Sequence, residues 1–61
     1  MAASPRRVLK SGRRAIIWEV SLPGSSERAY FVQGLGVRKL DSQDFVNLVD
    51  ATAWYEALER D

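Results

Sequence analysis

Apolar and polar positions alternate between Ala15 and Leu22. Ile16, Trp18, Val20 and Leu22 share one face of an extended chain, and Ile17, Glu19 and Ser21 share the other. β-Branched and aromatic types suit a half-buried pleat. The pattern predicts a strand over 15–22. Pro23-Gly24 ends it, because glycine accepts the positive φ of a type II turn. A second strand is expected over 28–37, centred on Tyr30-Phe31-Val32, which completes a hairpin. Phe31, Leu35 and Val37 lie on one of its faces, Tyr30 and Val32 on the other. Gly34 and Gly36 weaken its far end and indicate a bend.

Residues 42–60 fit two patterns. One is a single helix from about Ser42, capped by Asp41, with Leu40 and Phe45 as a hydrophobic staple. Its wheel is poor, because Phe45, Val46 and Val49 fall opposite Trp54 and Leu58. The other is a short third strand over 45–49, then a helix from Ala51 capped by Asp50. That helix carries a clean apolar stripe of Ala51, Trp54, Tyr55 and Leu58. The second pattern is preferred. The expected fold is α+β: a two- to three-stranded antiparallel sheet packed by one C-terminal helix over 15–61. Residues 1–14 are expected to be a mobile basic arm.

Helix and sheet together can bury only one sheet face. Ile17 and Val32, opposite the main apolar set, are therefore expected at a protein interface. Length sharpens this expectation. The chain has 61 residues and no cysteine. So small a core rarely supplies more than ~3–5 kcal/mol, and a partner is one remedy. Both functional readings below allow a homodimer.

Charge is sorted by position. Arg6, Arg7, Lys10, Arg13 and Arg14 come before any acid. Asp41, Asp44, Asp50, Glu56, Glu59 and Asp61 face a single Arg60 at the other end. The formal net charge of +1 hides this polarity. Basic side chains in this density neutralise phosphates and release counterions. Arg28, Arg38 and Lys39 would extend the track, and Tyr30 would stack on a base. The pI near 8.2 is below that of a strong nucleic-acid binder.

Catalysis is disfavoured. Without His or Cys the usual general base and thiol nucleophile are missing. Zinc would have only carboxylates, which it does not favour. Gly34-Leu35-Gly36 lacks the residues of a phosphate-binding loop. No cofactor, metal or catalytic residue is expected. No stretch reaches the ~18 apolar residues of a membrane span, and no apolar core follows the N-terminal arginines. No membrane partner is expected, and the cytoplasm is the default compartment.

Ile17-Trp18-Glu19-Val20-Ser21-Leu22-Pro23-Gly24, with Asp50-Ala51-Thr52-Ala53-Trp54-Tyr55-Glu56-Ala57, resembles the small sheet-plus-helix domain at the amino terminus of phage tyrosine integrases. The resemblance covers most of the chain after residue 14. It implies a sheet presented to DNA. The acidic stretch Asp41 to Asp50 departs from that pattern. Two functions follow as expectations: a non-catalytic nucleic-acid-binding or accessory module, or a protein-interaction module such as an adaptor, inhibitor or small subunit.

Overall fold

The computed structural model describes residues 6–22, 24 and 26–60. Four antiparallel strands lie in chain order, β1 (Arg6–Ser11), β2 (Ala15–Ser21), β3 (Arg28–Gly34) and β4 (Gln43–Phe45). A 3-10 segment, Gly36–Asp41, links β3 to β4, and one helix, α1 (Leu48–Arg60), follows. The α+β class and the single C-terminal helix match expectation, with a sheet one strand larger.

The added strand comes from the segment expected to be a mobile arm. Arg6 pairs with Val20, Val8 with Trp18 and Ser11 with Ile16. A bulge between Val8 and Lys10 leaves Leu9 as the extra residue. β-Branched Val8 suits the pleat and pairs with Trp18. The arm is corrected to an edge strand for residues 6–11. Residues 1–5 lie outside the described set.

Two boundaries also move. The second strand ends at Gly34, where a side chain would overlap the Arg38 carbonyl. The chain then turns through Gly36, whose φ is +57°. Val37 therefore leaves the sheet and stands 96% exposed. The third expected strand is shifted toward the N-terminus, with Tyr30 opposite Phe45 and Val32 opposite Gln43. The helix begins at Leu48 and not at Ala51. Asn47 caps it: its Oδ1 accepts the Asp50 N–H at 2.8 Å, and its side-chain amide donates to the Asp50 carboxylate at 3.0 Å. The expected cap, Asp50, is the third helical residue.

The helix stripe is as expected. Ala51, Tyr55 and Leu58 are buried, and Trp54 packs beside them. The Trp54 indole N–H donates to the Asp41 carbonyl at 2.7 Å, which pins the 3-10 segment to α1. The sheet face beneath is the reverse of the expected one. Ile17 and Val32 are opposite one another in register and are 2% and 0% exposed. Ala15, opposite Gly34, completes the floor. Ala15 packs with the helix residues, and Gly34 leaves room for the Arg38 carbonyl. Ile17 and Val32 are thus corrected from an outward face to the centre of the core, where burial of each contributes about 1.5–3 kcal/mol.

Candidate functional site: the basic edge strand and the uncovered sheet face

β1 is an edge strand, so among the described residues one side of its backbone has no strand partner. At about 3.3 Å per residue its six residues run roughly 20 Å. Arg6, Arg7 and Lys10 project from it, and Arg13 and Arg14 occupy the turn into β2. All five are exposed. Register divides them between the two sheet faces. Arg6 stands opposite Val20 on the face away from α1. Its guanidinium lies 4.8 Å from the Trp18 ring centroid. Arg7 and Lys10 stand on the helix side, opposite Glu19 and Ile17. The Lys10 ammonium lies 5.3 Å from the Tyr55 ring centroid.

Glu19 is the acid placed inside the apolar strand. Arg7 Nε donates to it at 2.9 Å and Arg28 Nη1 at 3.4 Å. Arg28 is therefore gathered with Arg6 and Arg7 at one end of the sheet. The other end holds Arg13 and Arg14, and the Leu35 N–H donates to the Arg14 carbonyl at 2.9 Å. That bond brings the start of the 3-10 segment, with Arg38 and Lys39, to the same end. Arg38 pairs with Asp41 at 3.4 Å, and Lys39 is exposed. The candidate cations thus form a β1 track with a group at either end. Tyr30 does not join them. It lies on the helix-covered side, opposite Glu19 and Phe45, packed against the core. It is corrected from a stacking platform to a core-edge residue.

The turn is built around a second acid. Glu59, near the end of α1, accepts the N–H groups of Arg13, Arg14 and Ala15 at 3.2, 2.7 and 2.8 Å. The Arg14 N–H does most to hold the Glu59 carboxyl below the usual glutamate range. Partial burial works against it, and the other two N–H groups and the Arg14 charge assist. Gly12 precedes the turn because a Cβ there would collide with the Glu59 carboxylate and the Tyr55 hydroxyl. Burial, then the nearby Glu59 charge, raise the Tyr55 phenol above its ordinary value.

Sequence alone does not single out the uncovered face. Register places Val8, Trp18, Phe31 and Asp44 in one row across four strands. Ile16 with Gln33, and Val20 with Ala29, flank that row. The Trp18 indole N–H donates to the Gln33 side-chain carbonyl at 3.0 Å. Alternation along β2 reveals this set but points to it as the core. A separate hollow of about 400 Å³ lies on the outer side of α1, lined by Leu48, Val49, Thr52, Ala53 and Glu56. Among the described residues no helix is long and apolar enough to cross a membrane.

The fold defines a small four-stranded sheet with one helical cover. No protein-family model, curated protein or solved structure matches the chain.

Proposed function

We propose that this protein is a non-catalytic nucleic-acid-binding or accessory module that lays its basic edge strand along phosphates. The observation that carries the reading is the alignment of Arg6, Arg7, Lys10, Arg13 and Arg14 along one strand and its turn. The two nearby acids leave that track positive. Glu19 is only 11% exposed and is shared by Arg7 and Arg28. Glu59 is directed at backbone N–H groups. Such a track gives sequence-independent, salt-sensitive attraction.

The test is binding to generic duplex DNA over a range of salt. Arg13→Ala with Arg14→Ala removes charge while leaving the backbone N–H groups for Glu59. The salt slope should fall by about 0.9 for each duplex phosphate that is no longer neutralised. Absence of binding to single- or double-stranded DNA or RNA at low ionic strength and tens of micromolar protein, on the order of non-specific affinities, would refute the reading.

A second reading, a protein-interaction module, is supported by a different observation. The sheet face away from α1 has an apolar centre of Val8, Ile16, Trp18, Val20 and Phe31, with no helix or strand among the described residues packed over it. A salt-insensitive protein partner would favour this reading.

A further inference from the structure

We infer that the uncovered sheet face is the contact between two copies of this chain, packed sheet on sheet. The inference rests on the second reading of that face and does not depend on nucleic-acid binding by β1.

The face has the layout of an interface. Its centre is the Trp18–Phe31 pair, with Ile16, Val20 and Val8 around it. Monomers rarely leave a contiguous apolar surface beyond a few hundred Å² without a use. Its polar members do not suit a nucleic acid. Gln33 is engaged by the Trp18 indole. Asp44, an exposed carboxylate in the same row as Trp18 and Phe31, would repel phosphate. Among the described strand residues of this face, the remaining charge is Arg6, on the opposite edge strand.

Those two charges select the occupant. Arg6 stands on β1 and Asp44 on β4, at opposite edges of one face. A two-fold axis along the strands lays β1 of one copy over β4 of the other. Arg6 then lies one row, about 7 Å along the strand, from the level of the partner's Asp44. An arginine side chain spans that gap. The symmetry makes the pair twice, because an isologous contact is self-complementary. The stacking of Arg6 on Trp18 already holds its guanidinium at this face. An apolar centre with aromatic anchors between two charged edges is the usual layout of a specific contact.

Sedimentation without nucleic acid, from micromolar to about millimolar protein, tests the inference. The expected mass rises toward twice the 6.9 kDa of one chain. Trp18→Lys should weaken association by roughly thirtyfold or more, as for an interface anchor. Arg6→Glu and Asp44→Lys sit at strand edges and avoid the folding risk of a change at Trp18. Each alone should weaken association, and the two together should restore it to within about threefold. A wild type that stays monomeric throughout overturns the proposal, as does a double variant no better than the singles. A monomer whose fluorescence is quenched by a single-stranded oligonucleotide, with the quenching abolished in Trp18→Phe, also overturns it and gives the face to bases. Duplex binding is measured separately on the Arg13→Ala and Arg14→Ala variant, whose changes lie in the turn and off this face, so the nucleic-acid reading succeeds or fails on its own result.

Discussion

Glu59 shows how one side chain settles a turn. Arg13, Arg14 and Ala15 present three N–H groups, and the carboxylate takes all of them. Its folded-state pKa lies below the unfolded value of about 4.3. Its ionisation therefore stabilises the fold fully above that value, and the contribution is lost as pH falls through the lower folded pKa. Glu59→Gln keeps one good acceptor and removes the charge. The variant should melt at a lower temperature at pH 7, and its melting temperature should fall less than that of the wild type between about pH 5 and 2. Thermal melts at several pH values check this. Parallel curves for the two proteins would mean that Glu59 contributes nothing by ionisation. Nothing in residues 56–60 marks Glu59 apart from Glu56. Both are acids on an amphipathic helix, and only the placement of the β1–β2 turn beneath α1 separates them.

At the scale of elements, the strands and helix are legible because their periodicities are strong. Ala51, Tyr55 and Leu58 recur at helical spacing and are the residues buried. Which sheet face they cover is not legible. Both faces of β2 are apolar, and the bulkier set, Ile16, Trp18 and Val20, looks like the core. The helix instead sits over Ala15, whose small side chain allows close approach, while Gly34 opposite it is covered by the Arg38 carbonyl of the 3-10 segment. Periodicity sorts residues into two faces without naming the covered one. The helix cap is hidden for a related reason. Asn47 and Asp50 are both good caps, three residues apart, and each bonds to the other. Asn47→Ala should cost ~0.5–2 kcal/mol by removing the N-cap acceptor. Asp50→Ala should cost less, because the Asp50 backbone N–H keeps its partner. Chemical denaturation of the two variants checks the order. A larger cost for Asp50→Ala would move the helix start to Ala51.

At the scale of the molecule, the basic segment is part of the fold. A mobile arm could be removed at little cost to stability, but β1 cannot. Deleting residues 1–11 takes away the Val8–Trp18 pairing and the Arg7–Glu19 ion pair. It also makes β2, the central apolar strand, a sheet edge. The truncated protein should melt well below the intact one and aggregate as it does so, as thermal denaturation with light scattering would show. Melting unchanged within a few degrees would return residues 6–11 to the status of an appendage. Charge can be read from the sequence as a block at one end. Its conversion into a strand cannot, because the pairing of Val8 with Trp18 forms only once β2 offers an open edge.

The bonds from Glu59 to residues 13–15 join positions 44 to 46 apart in the chain. They form a cross-link in a protein that has no cysteine to make one. A disulfide over such a span acts largely by restricting the unfolded chain. This carboxylate leaves the unfolded chain free and acts only after α1 has docked. It is indifferent to reductants and is released by acid. Because its partners are so distant in sequence, engaging them means closing most of the chain into a loop. The Gly12 N–H bond to the Ala15 carbonyl can close the turn locally, but the N–H groups of Arg13, Arg14 and Ala15 reach Glu59 only once the final helix is in place.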